Sequence, residues 1–366
     1  MNTIKNINKS AFVNDTIRDI STKQLVKDMG LGINLGNTLE CCGDWIDSSN
    51  VTNYETAWGS PVITYDTIRG YSLAGFKTLR VPVAWSNMMQ QDYTIHKDYM
   101  ARVNTIVDWA LSCGMYVILN LHWDGGWIND FPTNKQQCMY KYNRIWSQIC
   151  NRFKDYNDYL MFEALNEEGC WNSLWNRYDN TNSDPQGKQK AYALLNEINQ
   201  TFVDIVRASN GNNPKRHLLI SGYATDIKLT CNELFKMPND IESRCALSVH
   251  YYTPDAFCLL DKDTEWCKAT DVWGSQQDYS QLERYVQLLK TNFIDKKVPI
   301  ILGEFGVVAK NKSKDSIKEY LSAVCKQTTS LGICPVIWDI NSLYYDRTLC
   351  TATDTSIIQS MLNSTV

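Results

Sequence analysis

The chain has 366 residues, of which 36 are basic, 40 are acidic and 44% are hydrophobic, and its formal net charge is −4. This composition excludes a disordered or fibrous protein, because it supplies enough apolar side chains for a large buried core. The small negative charge makes nucleic acid an unexpected partner, and no apolar run reaches the roughly 18 residues of a membrane-spanning helix.

The N-terminal region lacks the features of a secretory signal. Its first 30 residues alternate polar and apolar side chains, without the run of about 7–15 apolar residues that marks such a segment. Thirteen cysteines, none in a CxxC pair, disfavour a zinc ribbon and fit an oxidising compartment, where Cys258 and Cys267 could close a local loop. We therefore expect a secreted, extracellular protein whose signal segment is absent from this sequence.

Short apolar runs then alternate along the chain with longer segments of helical period. The runs are apolar with little alternation, which is typical of strands buried on both faces. The predicted strands are Leu31–Leu35, Thr78–Val83, Tyr116–Leu121, Leu160–Leu165, His217–Ile220, Ala246–Val249, Val298–Leu302 and Pro335–Trp338. One apolar stripe at helical spacing predicts helices over Tyr99–Leu111, Ala191–Ile205, Leu282–Leu289 and Ile317–Val324.

This alternation predicts parallel pairing, because only a crossover helix returns the chain to start the next strand in the same direction. An open doubly wound sheet is the alternative, but no GxGxxG or Walker loop follows the first strand. We therefore predict an α/β fold, a (β/α)8 or TIM barrel over residues 25–366. Residues 1–24 are predicted to form a short N-terminal extension that packs on the barrel.

Polar or aromatic side chains follow almost every predicted strand. In such a barrel the C-terminal ends of the strands converge on one mouth, where the chemistry takes place. The candidates at these ends are Asn34, Asn37, Arg80, His122, Asn166, Glu167, His250, Tyr252, Glu304 and Trp338.

Glu167 and Glu304 are the candidates with the clearest chemistry. Each directly follows apolar strand residues that could not shelter an unpaired charge. A lone strand-end glutamate would favour a structural ion pair, but two of them, three strands apart, face each other across the mouth. Such a pair can cleave a glycosidic bond without a metal or cofactor, since one carboxyl donates a proton while the other attacks the sugar or activates water.

Other hydrolytic chemistries find little support. Four histidines are too few and too scattered for a zinc site, and neither HExxH nor GxSxG occurs. Glu163 has the same parity as Glu167 but lies four residues deeper in its strand, so we expect it inside the barrel, paired with Arg80. We predict no metal and no cofactor.

Six short motifs stand out along the chain, namely Gly32–Leu39 (GINLGNTL), Glu55–Gly59 (ETAWG), Leu79–Val83 (LRVPV), Phe162–Glu167 (FEALNE), Val249–Tyr252 (VHYY) and Gly303–Gly306 (GEFG). Together they resemble glycoside hydrolase family 5, the cellulase family of (β/α)8 barrels with catalytic glutamates after strands four and seven. The resemblance extends from Gly32 to about Asp339.

The resemblance implies a retaining endo-β-1,4-glucanase that acts on cellulose and related β-glucans by double displacement. Glu167 would be the acid/base, which holds its proton at rest, and Glu304 the nucleophile, which Arg80 and Tyr252 keep ionised. Asn166 would bind the sugar 2-hydroxyl. The implied substrate-binding residues are Asn34, Trp45, Trp58, Arg80, His122, Asn166, His250, Tyr252 and Trp338.

The substrate preference stays open at this point. A xyloglucanase, a mixed-linkage β-glucanase and a β-mannanase are alternatives on the same scaffold, and a non-catalytic carbohydrate-binding barrel is an alternative of another class. Members of the family often carry a second polar residue after the one matching His122, whereas this chain has Trp123. The expected partner is a β-glucan polysaccharide or oligosaccharide, bound by a monomer.

Overall fold

Eight parallel strands close into a barrel in the computed structural model of the chain, which describes residues 9–14, 16–178, 181 and 183–365. Neighbouring strands pair in chain order, and the first pairs with the last. The strands are β1 Gly32–Asn34, β2 Thr78–Val81, β3 Tyr116–Asn120, β4 Leu160–Glu163, β5 Leu218–Asp226, β6 Cys245–Tyr251, β7 Ile300–Phe305 and β8 Cys334–Ile337. The predicted strands and the predicted barrel are confirmed.

Helices surround the barrel, and a small hairpin of β9 Tyr345–Asp346 and β10 Thr351–Ala352 follows it. The helices are α1 Thr22–Asp28, α2 Thr52–Thr56, α3 Tyr65–Leu73, α4 Lys97–Ser112, α5 Lys135–Phe153, α6 Pro185–Ala208, α7 Ile227–Thr230, α8 Asp255–Cys258, α9 Gln276–Asn292, α10 Lys314–Thr329 and α11 Thr355–Ser364. The four predicted helices lie within α4, α6, α9 and α10. Among the described residues, no helix has both the length and the apolar content to cross a membrane.

Local signals in the sequence set where the long helices begin. Ser275 and Asp278 form a capping box at the start of α9, in which each side chain accepts a hydrogen bond from the other residue's backbone N–H. Ser313 caps α10, because its side chain accepts a hydrogen bond from the Ser316 backbone N–H. Helix α6 begins at Pro185, whose fixed φ suits the first helical position, after the capping residue Asp184.

Successive side chains along each strand point alternately into the barrel interior and towards the helix layer. One end of the interior is apolar and is closed by α1, so that polar groups are confined to the other end, where the strands terminate. The interior cluster consists of Leu25, Val26, Met29, Tyr116, Ile118, Met161, Leu219, Ala246, Ile301, Cys334 and Val336.

The described part of the N-terminal region contacts the barrel. Phe12 is buried, and Arg18 Nε donates to Asp158 Oδ2 at 2.7 Å. The predicted division at residue 24 falls inside α1, whose apolar side chains close the barrel. That division stays a prediction, and residues 1–8 and 15 lie outside the described residues.

The predicted link between Cys258 and Cys267 is wrong, because both are free thiols. Cys258 is buried at the end of α8. The sulfur of Cys267 instead faces the backbone oxygen of Lys268 at 3.5 Å. The other eleven cysteines are also free thiols, so no disulfide links the described residues.

Candidate active site

A fully buried arginine organises the polar end of the barrel. Arg80 Nε donates to Glu163 Oε2 at 2.7 Å, which confirms the predicted pair. Its Nη1 donates to Glu304 Oε1 at 2.8 Å and to Asn34 Oδ1 at 2.9 Å. Its Nη2 donates to Asn166 Oδ1 at 2.9 Å. Because the guanidinium is a rigid planar fork, these contacts fix the four partners relative to one another.

A bulge in β7 turns Glu304 towards this arginine. Val249 pairs with Leu302, but His250 pairs with Glu304, so Gly303 is an extra residue in β7. Leu302 packs in the helix layer, and strict alternation would therefore also aim Glu304 away from the interior. A Cβ on Gly303 would lie 3.1 Å from Nε2 of His250, so this close approach favours glycine.

The two predicted glutamates both contact His250. His250 Nδ1 lies 2.7 Å from Glu167 Oε1 and 3.6 Å from Glu304 Oε2. Carboxyl oxygens of the two glutamates lie within 4.8 Å of each other, which fits the separation of about 5–5.5 Å in retaining glycosidases better than the roughly 6.5–9.5 Å of inverting ones. Glu304 also accepts a hydrogen bond from the Tyr252 hydroxyl at 2.9 Å. The Glu304 side chain is 7% exposed and that of Glu167 is 48% exposed.

The resting protonation implied by the resemblance differs from what this geometry favours. Burial raises the pKa of Glu304, although His250 and Arg80 oppose the rise. Burial is the largest single influence on Glu167 and acts to raise its pKa, but the hydrogen bond with His250 and the positive charges nearby together outweigh burial and lower that pKa. These two directions favour a proton on Glu304 at rest. We therefore expect a substrate that separates Glu167 from His250 to raise the pKa of Glu167, so that the proton moves from Glu304 to Glu167, because the titrations of the two carboxyls are linked.

His122 and Trp338 form a stacked pair at the mouth, with ring centroids 5.8 Å apart and planes at 12°. Asn120 Oδ1 accepts a hydrogen bond from the Val83 N–H at 3.2 Å, which turns its Nδ2 towards Nδ1 of His122 at 3.1 Å. His122 Nδ1 is therefore an acceptor, and Nε2 carries the proton. Burial and the charge of Arg80 lower the pKa of His122, so the ring offers a neutral donor.

Two residues predicted to bind substrate lie beneath the site instead. Asn34 is fully buried, and its Nδ2 donates to the backbone oxygens of Gly303 at 2.9 Å and Ile337 at 3.2 Å. The Arg80 side chain has no exposed surface. Direct contact of either side chain with a sugar stays a prediction. In the structure Asn34 holds Arg80, and Arg80 holds Glu304.

The two outer tryptophans lie on exposed loops. Trp45 is 68% exposed in the loop after β1, and Trp58 is 39% exposed after α2. The segment of Trp58 contacts the loop after β8, where Asn341 Nδ2 donates to the Gly59 oxygen at 3.4 Å. Their stacking on sugar rings stays a prediction.

Our sequence analysis missed Glu168, which directly follows Glu167. Its side chain is buried, and no hydrogen bond to its carboxyl is present among the described residues. Burial, followed by the charges of Glu167 and Asp124, raises its pKa to about 8. The available signal was the pair of consecutive acids, Glu167 and Glu168, directly after a buried strand. Neighbouring side chains at a strand end point to opposite sides, so the two carboxyls cannot both face the solvent at the mouth.

We expect Glu168→Gln to stabilise the protein at pH 7 by about 3 kcal/mol. The carboxyl ionises near pH 4.3 in an unfolded chain but near pH 8 when folded. The unfolded chain therefore binds fewer protons between these values, and the stability of the parent falls as the pH rises through them. Urea unfolding at pH 4 and pH 7 measures the gain, with exposed Glu265→Gln as control. A gain of equal size at both pH values would contradict this account.

The site is poorly suited to a resident metal ion. Glu167, His250 and Glu304 offer ligand atoms within 4.8 Å of one another. However, Arg80 donates directly to Glu304, and its positive charge opposes a second cation at that carboxylate. The prediction that no metal takes part stays a prediction.

Comparisons with known proteins agree with this geometry. Residues 42–343 match the family model of cellulase, glycosyl hydrolase family 5. The chain is 35% identical over 327 residues to endoglucanase B of Clostridium cellulovorans, which covers 88% of this chain and 69% of that protein. A broad-specificity endoglucanase from an uncultured bovine rumen ciliate has a similar structure, with a TM-score of 0.84, 34% identity and coverage of 94% of this chain and 98% of that one. A Bacteroides ovatus xyloglucanase in complex with a XXXG heptasaccharide gives a TM-score of 0.83, 30% identity and coverage of 96% and 78%.

Proposed function

Because the chain belongs to glycosyl hydrolase family 5, it is a glycoside hydrolase, and we propose that it is an endo-β-1,4-glucanase acting on cellulose and related β-glucans. The observation that carries the proposal is the pair of carboxyls of Glu167 and Glu304, within 4.8 Å of each other at the mouth of the barrel. The 48% exposure of the Glu167 side chain supports internal cleavage, because a polymer can approach that carboxyl from solvent.

In the first step of the proposed double displacement, a carboxylate oxygen of Glu304 attacks the anomeric carbon. The bond from that carbon to the glycosidic oxygen breaks, and Glu167 gives its proton to the leaving oxygen. Arg80 and Tyr252 each hold one oxygen of Glu304, so the nucleophile is oriented before the sugar arrives. The product is a covalent glycosyl ester of Glu304.

In the second step, Glu167 takes a proton from water, which attacks the same carbon and releases Glu304 with retained configuration. Asn166 supports this step, because its Oδ1 is held by Arg80 and its Nδ2 is left to donate to the sugar 2-hydroxyl. We assign Trp338 as the platform beneath the reacting sugar. His122 would donate from Nε2 to a sugar hydroxyl.

We also propose that the protein is a secreted monomer. A polysaccharide does not cross a membrane, so an enzyme that cleaves it must meet it outside the cell. Every side chain placed in the mechanism comes from one chain, which supports activity without a second subunit.

Xyloglucan and mixed-linkage β-glucan are second candidate substrates. The similar Bacteroides ovatus protein is a xyloglucanase, and the ciliate protein is an endoglucanase of broad specificity. No feature of the described site favours β-mannan over these glucans.

Reducing-sugar release and viscosity, measured together on amorphous cellulose, mixed-linkage β-glucan, xyloglucan and β-mannan, test the proposal. We expect viscosity to fall well before much sugar is released from the glucans, because internal cleavage shortens chains quickly. We expect EDTA to leave the rates unchanged. Release from β-mannan alone would overturn the substrate assignment, and inhibition by EDTA would contradict metal-free chemistry.

A further inference from the structure

Another fully buried arginine lies behind the mouth of the barrel, apart from the group around Arg80. Arg347 is in the turn of the β9–β10 hairpin, and its side chain has no exposed surface. Its backbone N–H donates to Asn341 Oδ1 at 3.1 Å, and its carbonyl oxygen accepts from the hydroxyl of Thr67 on α3 at 3.2 Å. The backbone of Arg347 is therefore anchored on both sides, so its guanidinium extends from a fixed point.

This guanidinium joins three loops at the mouth. Its Nη1 donates to the carbonyl oxygen of Gly36 at 2.6 Å, in the loop after β1, and to Ser60 Oγ at 2.9 Å, in the segment after α2. Its Nη2 donates to the carbonyl oxygen of Asp339 at 2.8 Å, in the loop after β8. The Gly36 N–H donates to the same Asp339 oxygen at 3.0 Å. Gly36, Asp339 and Arg347 thus form a closed ring of hydrogen bonds, in which the planar fork of the guanidinium fixes direction as well as distance.

The ring of hydrogen bonds lies against Trp338, which we assign as the platform beneath the reacting sugar. Trp338 directly precedes Asp339, and its backbone N–H donates to the oxygen of Phe305 on β7 at 2.8 Å. Its indole packs on the backbone of Gly36, since a Cβ at Gly36 would lie only 2.7 Å from Cζ2 of the indole. Gly36 therefore limits where the indole can lie, and Arg347 holds Gly36 in place.

Stability alone does not account for a charged pair at this depth. The side chains of Arg347 and Asp339 both have no exposed surface, and Nη2 lies 3.3 Å from Oδ2. Burial raises the pKa of Asp339 to about 6, although the charge of Arg347 opposes the rise. The attraction between the two charges therefore does not recover the cost of burying the carboxylate, and apolar side chains of similar volume would pack as well. What the guanidinium adds is a set of directed hydrogen bonds to three loops.

We propose that Arg347 is a positioning residue for the reaction, which fixes the indole of Trp338 by holding Gly36 and Asp339. The inference rests on the proposed function, because it takes Trp338 to lie beneath the sugar that is cleaved. Its effect should appear in kcat more than in KM. The reacting sugar ring is distorted towards the transition state, so a displaced platform loses contacts there, whereas contacts with the other sugars of the chain still contribute to KM.

The test compares Arg347→Lys with Arg216→Lys on cellohexaose. Lysine keeps the charge, but one ammonium does not reproduce the fork that contacts Gly36 and Asp339 together. We expect Arg347→Lys to lower kcat by about tenfold and to change KM by less than about twofold. Arg216 is the matched control, because it is also fully buried but donates to backbone oxygens around the start of β4, at the opposite end of the barrel. Arg216→Lys should lower the melting temperature and leave kcat and KM of the folded protein unchanged.

A double-mutant cycle with Trp338→Ala measures whether Arg347 acts through the indole. In the Trp338→Ala background, we expect Arg347→Lys to lower kcat further by less than about twofold. Asp339→Asn removes the negative charge of the buried pair at nearly constant volume and should lower kcat by about threefold. The same cycle with Asp339→Asn decides the question if Arg347→Lys does not fold, which melting temperatures reveal.

An unchanged kcat in the folded Arg347→Lys and Asp339→Asn variants would overturn the inference, and so would a loss expressed only in KM. Equal losses of kcat with and without the indole of Trp338 would also overturn it, because Arg347 would then act on the fold or on another residue. A similar loss of kcat in Arg216→Lys would show a general effect of disturbing a buried arginine. Failure of the parent protein to cleave cellohexaose is a distinct result, which would contradict the proposed function itself.

Discussion

Replacing Glu304 with glutamine is expected to lower the turnover of β-glucans by several orders of magnitude while the polymer still binds. Glutamine has nearly the same shape, and one amide oxygen remains to accept from Arg80 or Tyr252, which hold the carboxylate in the parent. A neutral amide, however, cannot form the glycosyl ester on which double displacement depends. Turnover of cellohexaose and the dissociation constant of the same ligand measure the two effects separately.

A covalent trap identifies the nucleophile independently of turnover. Incubation of the parent with a 2-deoxy-2-fluoro glycoside should leave a sugar adduct on the peptide that contains Glu304, because the fluorine slows hydrolysis of the ester. The Glu304→Gln variant should acquire no adduct. Glu283→Gln, an exposed change on α9, is the control and should behave as the parent does. Unchanged turnover in Glu304→Gln, or an adduct on another residue, would contradict the assignment.

Glu167→Gln is expected to produce a loss that depends on the leaving group. With cellohexaose the departing alkoxide needs a proton, so kcat/KM should fall by orders of magnitude. With an aryl cellobioside that releases a dinitrophenolate, the first step needs no proton, and kcat/KM should change far less. The second step loses its base in either case, so the aryl substrate should give a burst followed by slow turnover.

Azide and pH provide two further measurements on the same variant. Azide needs no general base, so it should accelerate the slow phase and yield a β-glycosyl azide. One limb of the profile of kcat/KM against pH should reflect the ionisation of Glu167. That limb should be absent in Glu167→Gln and present in the neighbouring variant Glu168→Gln. Equal losses on cellohexaose and on the aryl substrate would rule out an acid/base role for Glu167.

The barrel was predictable because its strands are buried on both faces. Such strands are largely apolar, as in β3, where only the last residue, Asn120, carries an amide, and that pattern does not depend on which neighbour they pair with. The boundaries were less predictable. The seventh strand was predicted to end at Leu302 but continues to Phe305, because Glu304 and Phe305 still pair with β6 beyond the bulge at Gly303.

Local sequence did not reveal how deep each polar residue lies. Asn34 and Arg80 lie near strand ends, as His122 does, and were therefore also expected at the mouth. Both are instead fully buried and hydrogen-bonded to protein groups. Depth depends on the stagger between neighbouring strands around the barrel, which is a property of the closed sheet. The same reason explains why the burial of Glu168 was missed.

For this protein, the sequence alone determined the barrel, the two glutamates at its mouth and the resemblance to a cellulase family. These depend on residue type and on position along the chain, which hydrophobic pattern and motif spacing record directly. Only the tertiary structure decided that Asn34 lies beneath Arg80, that His250 hydrogen-bonds Glu167, and that a cavity opens beside Trp123. Each of these depends on distances between residues far apart in the chain, and such distances exist only once the barrel has closed.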